Sequence, residues 1–299
     1  NLADFAAVCR VVGGMKRFSI GAIGARTTKF KTVRYDELAL QKAGITVDTF
    51  DLSDLFARVR ALSDDDSQVV QKVQRLAAYT DCSRVPADKL ATLAKVSAAI
   101  DQYLDEYHFE CVSLRCWEEM QSELGIAPCV LLSELNDRGV VASCEMDLCN
   151  AVGMYALQLA TEGPAMCLDW NNNYGDDPDK VILFHCGPIA QSLMEGPGTV
   201  TDHKMFAKAN PGCGWGSNEG RIAAFPMTYS CVKTENGRVS LYLGEGRFTG
   251  EPIEAGYFGC GGVAQIPGLQ KKLLTIGRAG FRHHCVAARG HVEAVLREA

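Results

Sequence analysis

The first half of the chain alternates apolar runs with helical patterns. Residues 17–25 (RFSIGAIGA), 109–117 (FECVSLRCW) and 140–146 (VVASCEM) are short, mostly apolar runs that predict buried strands. Residues 86–108 repeat apolar positions at three- and four-residue spacing, which predicts a long helix. Strands separated by helices of this length form parallel βαβ units. We therefore expect a layered, parallel-sheet α/β domain over residues 1–160.

The pattern changes in the second half, where glycine becomes frequent and the apolar runs become short. Residues 226–248 alternate polar and apolar positions on both sides of an Asn-Gly pair, which predicts a β-hairpin. Residues 256–262 (GYFGCGG) and 271–277 (KKLLTIG) predict further short strands. These patterns favour a mostly antiparallel, barrel-like β domain over residues 161–299, so the chain as a whole is predicted to be α/β.

The overall charge and hydropathy argue against several classes of partner. The 299 residues carry a formal net charge of −6, and the pI is about 5.6. An acidic surface disfavours nucleic acid and anionic membranes as partners. No apolar run approaches the length of a membrane span, and no signal peptide is visible. We expect a cytoplasmic protein with neither nucleic acid nor membrane as a partner.

The thirteen cysteines occur singly inside apolar stretches, without a C-x-x-C pair. This usage is typical of reduced thiols that serve as small core residues in a cytosolic protein. We therefore expect no zinc site built from cysteines.

One weaker alternative concerns the glycines after the first predicted strand. Gly21 and Gly24 resemble part of a dinucleotide-binding loop, but only two of the three glycines of that loop are present. A plain strand-to-helix turn is favoured, and a nicotinamide-dependent oxidoreductase is the alternative that this turn would support.

Two carboxylates lie at strand ends that are expected to meet. Glu145 ends a predicted strand just before a helix, at the edge of an open α/β sheet where ligands bind. It could instead be a helix cap, although Asp147 suits that role better. Asp169 lies 24 residues downstream, after a helix long enough to return the chain to the same edge. Two carboxylates held together in a partly buried site need a cation or a shared proton.

Histidines near other strand ends could complete such a site. His185 ends another apolar run, where a core role is also common, and His283 and His284 precede a further strand-like run. Adjacent strand residues point to opposite faces, so at most one of this pair can face the site. A set of carboxylates with one imidazole suits Mn²⁺ or Mg²⁺ better than structural zinc.

The stretch LDWNNN adds groups that suit a sugar. Trp170 offers an apolar face for sugar C–H bonds, and its neighbours Asn171, Asn172 and Asn173 could hydrogen-bond hydroxyls. The alternative is an asparagine-rich turn that follows a core tryptophan.

At this point the chain resembles the L-fucose/L-arabinose isomerase family over essentially its whole length. The resemblance rests on Glu145 in CEMDLCNAVGM, Asp169 in MCLDWNNNYG, the FHCG around His185 and His284 in HHCVAARGH. It implies that Glu145, Asp169 and His284 are metal ligands, with His284 preferred to His283. His185 is a further candidate ligand, because the arabinose branch has a metal-binding histidine there and the fucose branch does not.

The resemblance also implies an assembly and a reaction. Family members are homo-oligomers, so a hexamer or trimer is expected, and they carry a further N-terminal α/β domain that we do not expect in this chain. The implied function is a divalent-metal-dependent aldose–ketose isomerase, an intramolecular oxidoreductase that converts a monosaccharide through an enediol. Glu145 and Asp169 would be its acid/base pair. The alternatives are a non-catalytic carbohydrate-binding protein on the same fold and a metal-dependent enzyme with another reaction on a sugar acid.

Overall fold

A computed structural model describes residues 1–27, 29–254 and 257–299. The helices are α1 (Leu2–Met15), α2 (Glu37–Lys42), α3 (Leu52–Ala61), α4 (Ser67–Tyr79), α5 (Ala87–Tyr107), α6 (Glu119–Leu124), α7 (Cys129–Asp137), α8 (Leu148–Thr161), α9 (Lys204–Ala207), α10 (Leu269–Arg278) and α11 (Glu293–Glu298). The strands are β1 (Ser19–Ile23), β2 (Thr46–Phe50), β3 (Cys111–Leu114), β4 (Val141–Cys144), β5 (Ala165–Asn173), β6 (Lys180–His185), β7 (Thr199–Asp202), β8 (Trp215–Arg221), β9 (Phe225–Glu235), β10 (Arg238–Phe248), β11 (Cys260–Gln265) and β12 (His284–Arg289). Short 3₁₀ turns occur at Lys31–Val33 and Gln191–Leu193.

The first sheet is parallel, and its strands β1, β3 and β4 are buried on both faces, whereas β2 is largely exposed. Within the described residues its strand order is β2-β1-β3-β4. Alternate residues of β3 and β4 enter two different hydrophobic cores, one formed with α3, α5 and α7 and the other with α8. Burial on both faces is what the predicted parallel βαβ arrangement requires.

The second sheet is mostly antiparallel and barrel-like. In the described part of the chain its order is β10-β9-β12-β5-β6-β11-β8-β7, and a further β10–β11 pairing links six of these strands into a ring. The predicted hairpin forms between β9 and β10, with Asn236 and Gly237 both at positive φ. The predicted fold class, a parallel α/β layer followed by a mostly antiparallel barrel-like sheet, is confirmed.

Helix α8 packs between the two sheets and ends at Thr161. Its apolar residues share one core with β1, β3 and β4 on one side and with β5, β9 and β12 on the other. The division of the chain into domains 1–160 and 161–299 stays a prediction, and its proposed boundary coincides with the end of this helix.

Two of the predicted strands in the second half differ from the structure, one in type and one in its first residue. Residues 271–277 do not form a strand but belong to α10. The apolar positions Leu269, Leu273 and Ile276 are spaced four and three residues apart, and they are the more buried positions of a helix otherwise largely exposed. The strand predicted at 256–262 corresponds to β11, which begins at Cys260, and its first predicted residue lies outside the described residues.

Candidate metal centre

The centre lies where the carboxyl ends of the parallel strands meet the second sheet. Glu145 directly follows β4, and Trp117 lies three residues beyond the end of β3. Asp169 on β5 and His284 on β12 are directly paired across antiparallel strands, so their side chains share one face. Glu145 and Asp169 thus converge from different sheets, with α8 between them, rather than from one sheet edge.

Two carboxylate oxygens approach the same nitrogen of His284, and ligand atoms that all lie within 4.8 Å of one another group Glu145 with His185 and His284, and Asp169 with His283 and His284. His284 Nε2 lies 3.3 Å from Glu145 Oε2 and 3.3 Å from Asp169 Oδ1. Among the described residues, neither oxygen has a hydrogen bond of good geometry, although both atoms are buried. Buried carboxylate oxygens without donors are costly unless a proton or a cation compensates them. The donor set therefore fits a divalent cation that prefers oxygen and imidazole ligands.

The orientation of His284 is set by Asp147. His284 Nδ1 lies 2.7 Å from Asp147 Oδ2, and both side chains are almost completely buried. A proton on Nδ1 donates to this carboxylate and leaves the Nε2 lone pair directed at Glu145 and Asp169. Metal-ligating histidines commonly use such a carboxylate to set their tautomer. Sequence reasoning considered Asp147 only as a helix cap, a role that it also has through the Asn150 amide.

The pKa shifts in the centre follow from this packing. Burial alone would raise the pKa of the Asp147 carboxyl, but the hydrogen bond and charge of His284 lower it. The same competition lowers the pKa of Asp169, where His283 and the charges of His185 and His284 outweigh burial. Conversely, Asp147 and Glu145 raise the pKa of His284 well above its usual value, although burial opposes them. Without a cation, a proton on His284 therefore compensates the carboxylates.

His185 is close to the centre but differs in its hydrogen bonding. Its Nε2 faces Glu145 Oε2 at 3.9 Å, and its Nδ1 accepts the Cys186 amide at 2.9 Å. Burial would lower the pKa of His185, but the charges of Cys186, Glu145 and Asp169 raise it to about 9. The Nε2 nitrogen carries a proton in both possible states: in the charged ring, and in the neutral ring whose Nδ1 accepts this hydrogen bond. Its role as a ligand stays a prediction that this hydrogen bonding does not favour.

His283 is the more exposed histidine of the adjacent pair. Its Nε2 lies 3.3 Å from Asp169 Oδ1, while Nδ1 lies 3.1 Å from the Thr32 hydroxyl. The side chain of His283 is 45% exposed, against 2% for His284. His283 is therefore at the open side of the centre, and His284 is at its buried side.

Two aromatic residues near the centre were not found from the sequence. Trp117 donates its Nε1–H to Glu145 Oε1 at 3.2 Å and so holds the carboxylate with Oε2 facing His284. Phe30 packs against Trp117 and His284, with ring centroids 5.4 Å and 5.7 Å away. Both follow strands of the parallel sheet, so their location at the carboxyl edge was a usable signal.

The backbone at Glu145 is strained. Glu145 and Met146 both have a φ of 62°, a region that side-chain-bearing residues seldom adopt. Such conformations persist when surrounding structure imposes them, and they concentrate at functional sites. Here the turn between β4 and α8 directs Glu145 to the centre and Asp147 to the start of the helix.

The predicted sugar-contacting residues differ in how far they are exposed to solvent. Trp170 donates to the Tyr242 hydroxyl at 3.0 Å and packs edge-on against Tyr229, so its ring belongs to the barrel core. A strand irregularity follows Trp170, and Asn171, Asn172 and Asn173 are exposed. Asn171 accepts from the Tyr257 hydroxyl and Asn172 donates to it. The role of all four residues in sugar binding stays a prediction, and the packing of Trp170 does not favour its part in it.

Comparison with known proteins finds a match to the second half of the chain. Residues 183–299 match the family model described as L-fucose isomerase, C-terminal domain. This range includes the second half of β6 and all of the later strands, including the one that begins at His284.

Relatives extend the match to the first half of the chain. A protein named sulfoquinovose isomerase from Alkalicoccus urumqiensis is 27% identical over 313 aligned residues, which cover 100% of this chain and 66% of the relative. Another of that name from Priestia aryabhattai is 24% identical over 298 residues, which cover 97% of this chain and 64% of the relative. These matches agree with the resemblance to the fucose isomerase family that the motifs predicted, and the chain spans about two thirds of the length of these curated relatives.

The described helices contain none that combines the length and apolarity of a membrane span.

Proposed function

We propose that this chain carries the catalytic centre of a divalent-metal-dependent aldose–ketose isomerase. The observation that supports this most directly is that Glu145 Oε2 and Asp169 Oδ1 each lie 3.3 Å from His284 Nε2, with both oxygens buried and lacking good hydrogen bonds. The names of the relatives favour a hexose as the substrate. Mn²⁺ or Mg²⁺ is the proposed cofactor, held by these three residues.

The chemistry needs a proton to move between adjacent carbons. A bound divalent cation supplies a Lewis acid that stabilises negative charge on the two neighbouring sugar oxygens. One carboxylate of the Glu145–Asp169 pair removes the proton from C2 of the aldose and returns it to C1. The other transfers the hydroxyl proton from O2 to O1, so that the enediol collapses to the ketose without net change in composition.

The surrounding residues hold this pair in position. Trp117 fixes the orientation of the Glu145 carboxylate, and Phe30 covers one side of His284. Asp169 keeps 23% of its side chain exposed, and His283 and Asn171 are exposed nearby in the chain or across the strand pair. We propose that the sugar enters from this side, with Asn171–Asn173 available to its hydroxyls.

We also propose a cytoplasmic homo-oligomer, hexameric or trimeric. All thirteen cysteines are in the described part of the chain and none is paired in a disulfide, which suits a reducing compartment. Leu2 and Phe5 on α1 are 84% and 65% exposed, and an assembly would offer a way to bury them.

The activity is tested with an aldose panel that includes L-fucose, sulfoquinovose and common pentoses and hexoses. The purified chain is stripped with chelator, reloaded with Mn²⁺ or Mg²⁺ and assayed for ketose formation. We expect metal-dependent turnover of at least one 6-deoxy or 6-sulfonated hexose, with partial solvent deuterium incorporation because the transferred hydrogen is a proton. Metal binding without turnover of any aldose would instead favour the carbohydrate-binding or sugar-acid alternative.

Metal binding is also expected to release a proton. The carboxylates around His284 raise its pKa, so the cation-free centre holds a proton that the metal must displace. Because the pKa of His284 lies well above its ordinary value of 6.5, apparent Mn²⁺ affinity should rise with pH from that value upward. Calorimetry in buffers of different ionisation enthalpy measures the proton count directly.

A matched pair of histidine variants provides the control for proton release. His284→Gln should lose proton release together with tight binding, whereas His291→Gln, at an exposed histidine, should change neither. Mn²⁺ affinity that does not vary with pH, with no proton released, would contradict the proposed ligand set.

A further inference from the structure

A group of cysteines lies beside the Glu145 centre. Cys129 Sγ and Cys186 Sγ are 3.9 Å apart, and Cys144 Sγ and Cys116 Sγ are 3.2 Å apart. Cys186 also interacts with the Cys144 thiol, so the four sulfurs form one continuous cluster. His203, which is 2% exposed, places a ring nitrogen within 4.8 Å of the sulfurs of both Cys129 and Cys186.

The Cys129–Cys186 separation matches that of two thiolates on one zinc ion. Two sulfurs that are each about 2.3 Å from zinc, at a tetrahedral angle, lie about 3.8 Å apart. The observed 3.9 Å requires almost no movement of the side chains. An imidazole as third ligand gives a Cys₂His set, which leaves a fourth position open.

A small cavity gives this cluster room for an ion. It has a volume of about 30 Å³, and its lining includes Cys129, Cys186, His203, Cys116 and Glu145. A single water needs roughly 10–15 Å³ by this measure. The space is therefore sufficient for an ion with one water and too small for a monosaccharide.

The two thiols also suit a divalent cation by charge. A cation that displaced the thiol protons of Cys129 and Cys186 would be neutralised by the two resulting thiolates.

We infer that Cys129, Cys186 and His203 form a second cation site that takes a thiophilic divalent ion such as Zn²⁺ or Cd²⁺. This site is distinct from the centre formed by oxygen and imidazole ligands, because its ligands are mainly sulfur. Such a site would run against the expectation that the cysteines build no zinc site, which stays a prediction. The ligating cysteines are 57 residues apart in sequence, so no local C-x-x-C pair indicates them.

The three ligands are expected to contribute unequally. His203 Nδ1 accepts the Met205 amide at 3.3 Å, so the ring proton of the neutral histidine is on Nε2. Ligation through Nε2 requires this proton to move to Nδ1, and the long bond to Met205 is then lost. The two thiolates should therefore provide most of the affinity.

The test is a Cd²⁺ titration of the purified, reduced and chelator-treated chain in excess Mg²⁺, which occupies the Glu145 centre. The near-ultraviolet charge-transfer absorption of cadmium–thiolate bonds reports sulfur ligation, and equilibrium dialysis gives the stoichiometry. We expect one tightly bound Cd²⁺ with thiolate absorption. Cys129→Ala and Cys186→Ala should each weaken binding by at least about tenfold and reduce the absorption, and His203→Gln should have a smaller effect.

Cys111→Ala is the matched control, since Cys111 is a fully buried cysteine on β3 outside the cluster. It should bind Cd²⁺ as the unmodified chain does. Persistence of the absorption in both cluster variants, or its equal loss in the control, overturns the inference. If a cluster variant does not fold, alkylation of the unmodified chain decides: Cd²⁺ must protect Cys129 and Cys186, located by mass spectrometry, and failure to protect them rejects the site. The readout is cation binding, so the result does not depend on the proposed isomerase activity.

Discussion

Glu145→Gln is expected to lower kcat for aldose–ketose conversion by at least about a hundredfold, because a neutral amide cannot accept the transferred proton. The variant should fold normally. Glutamine retains the shape of the side chain and an oxygen that can accept from Trp117 Nε1, as Glu145 Oε1 does at 3.2 Å. The measurement is the initial rate of ketose formation at saturating Mn²⁺, with thermal unfolding of the same samples.

Two further variants sharpen this result. Asp169→Asn should cause a loss of similar size, and the double variant should be little worse than either single one, since the two carboxylates act as a unit. Glu123→Gln, at an exposed glutamate on α6, serves as the control and should retain full activity. Retention of most of the activity in Glu145→Gln at saturating metal would remove Glu145 from the acid/base pair.

Asp147→Asn is expected to weaken Mn²⁺ binding by about 10- to 100-fold while leaving α8 intact. The carboxylate of Asp147 lies 2.7 Å from His284 Nδ1, and its charge increases the basicity of the ring nitrogen that faces the metal. Asparagine is as good a helix cap as aspartate, so the hydrogen bond from the Asn150 amide can be retained. The measurement is Mn²⁺ affinity by calorimetry alongside the metal dependence of turnover.

This variant separates a positioning role from a purely structural one. If Asp147 acts through His284, excess Mn²⁺ should restore much of the lost kcat, because the catalytic carboxylates remain in place. Asp36→Asn, which changes the capping aspartate of α2, is the matched control and should bind Mn²⁺ normally. Unchanged Mn²⁺ affinity in Asp147→Asn would show that the Asp147–His284 contact does not support the metal.

Much of the architecture follows from local patterns. The apolar runs near β1, β3 and β4 and the helical spacing in α5 predict buried parallel strands with crossover helices, because side-chain periodicity directly reflects backbone geometry. The Asn-Gly pair likewise predicts the β9–β10 hairpin, since both residues tolerate positive φ. The pattern fails at residues 271–277, where a short apolar run suits a strand or one face of a helix equally well.

The proximity of Glu145 and Asp169 was also expected from local sequence, but the strand pairing that brings them together was not. Glu145 ends a strand and Asp169 lies one helix further on, which predicts that they approach each other. The structure adds that β5 leaves the parallel sheet and pairs with β12, which sets Asp169 directly opposite His284. Pairing between strands more than a hundred residues apart leaves no local signature in either segment.

The strand and helix patterns, the acidic pair and the family resemblance could therefore be obtained from the order of residues alone, because each depends on local spacing or on short motifs. Tertiary packing decided the rest. It made Asp147 the partner of His284, turned Trp170 into the barrel core, and set Cys129 next to Cys186. These relations depend on which way side chains point after distant segments pack together, and hydrogen bonding and burial select that direction only in the folded chain.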